Sequence, residues 1–582
     1  MIKYYCKNCR IDTENSECPV CNERTEITSK LYWCNHCNIP TYDEICPECG
    51  TKGHYIGTDI RPVFPEERLL LEILLGEPFK FKKSSVWTGS GNRYIIDGVK
   101  KNYSQKQLME SNPSIVIEQL EKYKDENSYD KFNEYIDLFI KVNKDRYNYI
   151  VTEATNFIIN QKKDYNDDHT FVSFSGGKDS TVVSSLVTRA LGMPNIIHIF
   201  GDTTLEFPAT YDYLKRFKAE NTKTPILSAK NKEKNFYDMC EVIGPPSRVM
   251  RWCCIVFKTG AITKKINAIF KDKDNVLTFY GIRRSESVSR SKYDRVSDSP
   301  KITKQNVSSP IIDWSDFDIW LYILTTGIDF NDAYKLGYSR VGCWCCPNNT
   351  TWAQYLSQIY MAEQSTKWRT LLIDFAKKVG KPDPEVYVDE GSWKARQGGN
   401  GVKYSENIFV SFKPCATENE SFNYELNKDI TEELYEFFKP FGWINKEMGN
   451  ARLGQVYILD KIGNPIFRIQ GKIGTRELKV TVLKIPLGKA KSLRDIKQRI
   501  DCQLTKYQMC LGCLGCESVC KHDAIIVKKT AHENELVLNR VSNTYRIIDE
   551  KCKRCGECIN HFEGGCYMRK VLITKRGENS GK

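Results

Sequence analysis

Two sets of residues in this chain have types and spacings that could do chemistry: Ser175-Gly-Gly-Lys-Asp-Ser180, and twenty of the 24 cysteines. The hexapeptide is an anion site in outline. It follows an apolar run, Phe171-Val-Ser-Phe174, that reads as a buried strand. It leads into a helix whose apolar positions Val182, Val183, Leu186, Val187, Ala190 and Leu191 share one face, and Gly192 stops it. Strand, glycine turn and helix N-terminus together would aim backbone N–H groups and the positive helix end at phosphate. Gly176 and Gly177 permit close backbone approach, Lys178 adds a full charge, and Ser175 and Ser180 can donate hydrogen bonds. The Walker spacing, with four residues between the glycines and Lys-Ser/Thr after them, is not present. An ordinary strand-to-helix turn is the plainer alternative.

The cysteines fall in tight clusters within a long chain, a pattern of metal ligation rather than of disulfides. Cys6-x2-Cys9, Cys18-x2-Cys21, Cys34-x2-Cys37 and Cys46-x2-Cys49 form a repeat in which each ligand recurs 28 residues later. Two residues between thiolates suit a knuckle that aims both sulfurs at one ion, and two knuckles complete a tetrahedron. Two Zn2+ ions are expected there in preference to iron, because no redox need is visible. Segments this short need such an ion to fold. A purely architectural lobe and one that binds nucleic acid or a partner are equally open. Cys253-Cys254 and Cys343-x2-Cys346 form a second set, with 88 residues between Cys254 and Cys343. Cys510, Cys513, Cys516, Cys520, Cys552, Cys555, Cys558 and Cys566 form a third. Cys240, Cys345, Cys415 and Cys502 are left over.

Something must hold these groups in place. At 582 residues the chain exceeds one hydrophobic core, and its 41% hydrophobic content can fill several. The expected segments are 1–56, tandem metal lobes; 57–104, a small β-rich module; 105–166, a helical stretch; 167–395, the nucleotide domain; 396–500, an α+β region of unknown role; and 501–582, the C-terminal cysteine domain. Within the helical stretch Tyr135, Leu138, Phe139 and Val142 recur at helix spacing and are expected to pack. No apolar run approaches the roughly 18–20 residues of a bilayer span, and Met1-Ile-Lys-Tyr-Tyr-Cys6 lacks a signal-peptide core, so a cytoplasmic protein with no membrane partner is expected. The net charge of +13 favours anionic partners. Twelve Lys/Arg against three Asp/Glu between Lys461 and Lys506 could neutralise a phosphate backbone, or could simply be solvated faces.

The hexapeptide resembles the PP-loop of adenine nucleotide α-hydrolases, and downstream segments are similar to the phosphoadenosine phosphosulfate (PAPS) reductase family. His198-Ile-Phe-Gly-Asp-Thr-Thr-Leu-Glu-Phe-Pro208 looks like that family's second strand and acidic turn. Gly281-Ile-Arg-Arg-Ser-Glu-Ser287, followed by Arg290, is similar to its anion-binding segment. Pro310-Ile-Ile-Asp-Trp314 and Gly337-Tyr-Ser-Arg-Val-Gly-Cys343 resemble its helical end. The resemblance implies an α/β fold, a doubly wound parallel sheet with the nucleotide over the carboxyl ends of its strands. It implies ATP, or adenosine phosphosulfate (APS) or PAPS, at Ser175, Gly176, Gly177, Lys178, Asp179 and Ser180, with Mg2+ near Asp179. Asp202 would lie near ribose or metal. Arg283 and Arg290 would clamp an anionic group, with Lys258 as a further candidate.

Cys253, Cys254, Cys343 and Cys346 resemble the [4Fe–4S] ligands of APS reductases, although Cys345 could replace a neighbour. The C-terminal set resembles a two-cluster ferredoxin, in which the remote fourth cysteine ligates the other cluster. That implies one cluster on Cys510, Cys513, Cys516 and Cys566, and another on Cys552, Cys555, Cys558 and Cys520. Lys521 stands where the usual proline follows, and seven residues rather than three precede Cys566.

Three functions follow. One is ATP-dependent sulfur transfer to an adenylated acceptor, tRNA or DNA, with the sulfur on a cluster or as a persulfide on Cys240 or Cys345, served by an electron-transfer or sulfur-donor protein. Another is an APS/PAPS reductase releasing sulfite; against it, no cysteine occurs from Lys570 to Lys582 to attack sulfur. The third is a nucleotide- and redox-sensing module without catalysis.

Overall fold

The computed structural model describes residues 4–560 apart from 7, 14–16, 23–24, 28–29, 90–92, 127–128, 272, 274, 288–289, 300–303, 396–410, 416–417, 419, 486–491, 511–514 and 530–542. Two compact units emerge. The first comprises residues 1–228, 272–299 and 305–366; the second takes 229–271, 300–304 and 367–582. The units do not follow the linear segments, because 229–271 leaves the nucleotide domain for the second unit.

The first unit opens with two three-stranded sheets. Tyr4–Cys6 lies between Ile11–Thr13 and Glu26–Ile27, and Leu31–Cys34 between Ile39–Thr41 and His54–Gly57. The residue after the second cysteine of every knuckle is left-handed: Arg10, Asn22, Asn38 and Gly50 have φ of 58°, 57°, 55° and 70°. That bend folds the second cysteine of each pair back towards the first. Strands Arg61–Pro62, Val86–Thr88, Arg93–Ile96 and Val99–Asn102 form the accessory sheet beside helix Pro65–Leu74. Helices Pro113–Lys122, Asp130–Val142 and Lys144–Lys162 follow, with Phe139 and Val142 buried.

The central sheet is mixed rather than wholly parallel. Thr170–Phe174 pairs in parallel with Ile197–Asp202 on one side and Val276–Phe279 on the other, and Gln305–Ser308 pairs in parallel with the latter. Val296–Asp298 closes the edge antiparallel to Gln305–Ser308, and Ile226–Lys230 lies beyond Ile197–Asp202. Edge placement explains the departure, since a short hairpin return needs no crossover helix. Helix Lys178–Leu191 buries Val182, Val183, Leu186 and Val187 in a core with Val172, Ile150, Ala154 and Trp320. Gly192 ends it with φ of 62°.

In the second unit, strands Ser411–Pro414, Ser421–Glu425, Glu477–Val482, Pro465–Gln470, Gln455–Leu459 and Trp443–Asn445 form an antiparallel sheet in that order. Helix Leu493–Met509 spans the boundary expected at residue 500. One apolar core joins Phe438, Phe467, Ile500 and Leu504 to Ile525, Tyr545 and Ile547 of the hairpin Ile525–Lys529/Asn543–Ile547. Among the described residues no helix is long and apolar enough to cross a membrane.

Candidate active site

The loop Ser175–Ser180 sits at the carboxyl end of the central strand and at the start of helix Lys178–Leu191. Gly176 has φ of +71°, and a Cβ there would meet Thr210 Cγ2 at 2.8 Å. Ser180 Oγ donates to the Gly177 carbonyl at 2.8 Å and accepts from the Ser175 amide at 3.2 Å, so the turn is cross-braced. Tyr334 Oη accepts from the Lys178 amide at 3.1 Å, and Asn331 Nδ2 donates to the Gly176 carbonyl at 3.1 Å. Ser175 is exposed, whereas Lys178 is buried.

Lys178 does not stand alone. Its Nζ lies 3.4 Å from Asp179 Oδ2 and 3.3 Å from Asp316 Oδ1. Arg283, also buried, donates from Nε to Asp179 at 2.5 Å and from a terminal nitrogen to Asp316 at 2.6 Å. Two cations and two carboxylates thus form a closed quartet. Burial disfavours charge on Lys178, but Asp179 and Asp316 outweigh it and raise its pKa. Burial likewise opposes ionisation of Asp316, which Lys178 and Arg283 overcome, lowering its pKa. Gly281 places its segment against the loop: a Cβ there would lie 2.8 Å from the Asp179 carbonyl carbon and the Ser180 amide nitrogen.

Asp59 joins this quartet from the N-terminal part of the same unit. Its two carboxylate oxygens accept from the Asp316 and Phe317 amides, each at 3.0 Å, across the start of helix Asp316–Thr326. Burial, then the Asp316 charge, push the Asp59 carboxyl up to about 7.

Asp202 ends the neighbouring strand, its Oδ1 accepting from the Thr204 amide and Tyr211 Oη, both at 2.9 Å. One residue on, Thr203 Oγ1 lies 2.8 Å from Glu206 Oε1 and 3.3 Å from Cys343 Sγ. Arg290 pairs with Glu286, whose carboxylate also accepts from the Arg283 amide at 3.2 Å. Cys240, Cys253, Cys254 and Lys258 belong to the second unit, and Cys343, Cys345 and Cys346 to the first. Cys254 begins a π-helical turn, Cys254–Thr259, and Lys258 on it is exposed.

The N-terminal cysteines assemble as two groups of four, Cys6/Cys9/Cys18/Cys21 and Cys34/Cys37/Cys46/Cys49, each with its sulfurs within 4.8 Å of one another. Separations of 3.6 Å for Cys6–Cys21 and 3.8 Å for Cys37–Cys46 are too long for disulfides. They match the roughly 3.8 Å edge of a tetrahedron with metal–sulfur bonds near 2.3 Å. These residues can hold a metal ion. In the second unit Cys520, Cys552, Cys555 and Cys558 line one cavity with Pro440 and Arg554. Cys510 and Cys516 pack beside the same core, and Cys513 and Cys566 lie outside the described residues.

Sequence reasoning missed Asp316, Asp59, Tyr334 and Asn331. Asp316 had a signal, because Ser315-x-x-Asp318 is a capping box that marks a helix start directly after Trp314. Asp59 had none, being 257 residues from Asp316. The basic stretch from Lys461 also changes character in three dimensions. Arg468 and Lys479 face Glu418, Arg476 faces Asp429, Lys484 faces Asp460, and Lys506 is buried.

The fold and the loop define an α/β domain, and comparison with known proteins shows what that domain is similar to. Residues 169–349 match the phosphoadenosine phosphosulfate reductase domain. An uncharacterized protein of Methanocaldococcus jannaschii is 31% identical over 278 residues, which are 48% of this chain and 56% of that protein. The adenosine 5'-phosphosulfate reductase of Shouchella clausii is 25% identical over 178 residues, 30% of this chain and 68% of that one. The chain thus spans little more than half of the first of these relatives. Among solved structures, the phosphoadenylyl-sulfate reductase of Candida auris aligns at 15% identity with a TM-score of 0.28, over 37% of this chain and 96% of that chain.

Proposed function

We propose that this chain is an iron–sulfur enzyme of sulfur metabolism that binds ATP or an adenylyl nucleotide at Ser175–Ser180 and transfers sulfur to an adenylated acceptor. The observation that carries this reading is the glycine loop with Lys178 and Arg283 at its mouth, each held by Asp179 and Asp316. An entering polyphosphate exchanges for the carboxylates as partner of the two cations. Beyond the Lys178 amide, which Tyr334 takes, the next amides of helix Lys178–Leu191 have no carbonyl partners within the helix, and with Ser175 and Ser180 they line the phosphate path. Asp179 and Asp202 are assigned to Mg2+ or ribose in this reading, and Arg290 to the outer anionic group. An acceptor oxygen attacks the α-phosphorus, the bond to the bridging oxygen breaks, and pyrophosphate leaves. The terminal sulfur of a persulfide, for which Cys240 and Cys345 are the carrier candidates, then displaces AMP from the acceptor, and a dithiol reductant supplies the two electrons that split the resulting acceptor–S–S–cysteine disulfide.

Cys6 to Cys49 fit two zinc ions as structural centres. Cys520, Cys552, Cys555 and Cys558 fit one [4Fe–4S] cluster; such a cluster supplies one-electron transfer when bound. The second reading, APS or PAPS reduction to sulfite, is supported by the named APS reductases among the relatives. tRNA or DNA as acceptor rests on the net charge of +13, since Arg468, Arg476, Lys479 and Lys484 of the basic stretch are already paired. Paired anaerobic assays separate the readings. ATP-dependent pyrophosphate release supports the first, sulfite production from APS or PAPS supports the second, and absence of both with nucleotide bound leaves only the sensing module.

A further inference from the structure

The matched family domain begins at residue 169, yet a carboxylate from residue 59 caps a helix of the nucleotide site. We propose that Asp59 is a positioning residue for that site, and that the second cysteine lobe acts on nucleotide binding through it. The inference rests on the nucleotide reading above.

The helix Asp316–Thr326 has four N-terminal amides that need partners. Ser315 Oγ takes the Asp318 amide at 3.2 Å, and Asp59 takes the two that precede it, those of Asp316 and Phe317. A local cap therefore serves one amide, and a residue from a different part of the chain serves two. Those two amides belong to the turn that presents Asp316, the residue holding both Lys178 and Arg283. Holding Asp316 fixes the geometry of both cations.

What holds Asp59 is the lobe. Nine residues separate it from Cys49, and strand His54–Gly57 between them pairs with Leu31–Cys34 of the lobe. Its neighbour Ile60 is buried in one core with Ile56, Trp33 beside Cys34, and Phe317 and Leu321 of the capped helix. Cys34 and Cys46 in turn pack with Val142. A cysteine tetrad, a strand, a carboxylate and a helix start thus form one continuous packed path within a single unit.

Asp59 could influence binding in two ways of opposite sign, and this makes the proposal testable. As a positioning group, its loss lets Asp316 move and weakens binding. As a mere negative charge near the site, its loss strengthens binding of an anion. ATP affinity of the anaerobically purified protein should fall about tenfold in Asp59→Ala, a loss of about 1.4 kcal/mol, and less in Asp59→Asn, which keeps an acceptor. Tighter or unchanged binding in both variants overturns the positioning role, even if thermal stability drops. Cys46→Ser should also weaken ATP binding, and the double variant Cys46→Ser/Asp59→Ala should be no weaker than the worse single one; strict additivity overturns the route through Asp59. If the wild-type protein binds neither ATP nor APS, the nucleotide reading itself fails, an outcome distinct from those.

Discussion

At the scale of single residues, Lys178 has changed meaning. The sequence presents it as a charge waiting for phosphate; the folded chain presents it as one corner of a quartet with Arg283, Asp179 and Asp316. A substitution there therefore acts twice. Lys178→Ala should raise the ATP dissociation constant at least tenfold. It should also cost about 2 kcal/mol or more of stability, because two carboxylates then face Arg283 alone. Urea unfolding alongside binding titration checks both, and full stability with lost binding would show that Arg283 suffices to neutralise the pair. His198 is a second such residue. It is fully buried between Ser184 Oγ at 2.7 Å and the Ile196 carbonyl at 2.9 Å. Nδ1 must donate to the carbonyl, so Nε2 accepts from Ser184. Burial lowers its pKa to about 4. A depressed base is neutral in the fold and charges on unfolding, so its stabilising contribution is whole above pH 6.5 and falls between pH 6.5 and about 4. The loss is on the order of 3 kcal/mol. An NMR titration should find this imidazole neutral at pH 5.5.

Among elements, the decisive join is between the segment at Gly281 and the start of helix Lys178–Leu191. Backbone meets backbone there, so neither side can yield as a flexible side chain would. Gly281→Ala should separate the two, at a cost of about 1–3 kcal/mol, and should move Arg283 away from Asp179. Nucleotide affinity should fall with it, and a crystal structure of the variant would show the displacement. The period and caps of the helices were legible: the apolar stripe from Val182 to Leu191, the stop at Gly192, and the packing of Phe139 and Val142 all appear where the spacing put them. The sheet's antiparallel edge at Val296–Asp298 was not, because three residues of mixed polarity carry no period.

For the whole molecule, cysteine chemistry dominates, and metal content is the direct measurement. Anaerobically isolated protein should hold about two zinc ions, with iron in multiples of about four per chain for each cluster present. Cys46→Ser should lose one zinc and lower the stability of the first unit, since Cys46 shares a core with Val142. Zinc analysis and thermal unfolding test this together; retention of two zinc ions in the variant would remove Cys46 as a ligand.

The sequence by itself determined what is local along the chain. A glycine loop between strand and helix, and knuckles of two residues between thiols, build their geometry from a few consecutive dihedral angles, and four left-handed residues after the knuckles confirm how short that reach is. Tertiary structure decided the pairings between distant segments. Arg283 meets Asp179 across 104 residues and Asp59 meets Asp316 across 257. Carboxylates at 418, 429 and 460 pair with Arg468, Arg476, Lys479 and Lys484 of the basic stretch. Such partners depend on strand order and on which helix start a loop can reach, and no window of sequence contains both halves of the pair.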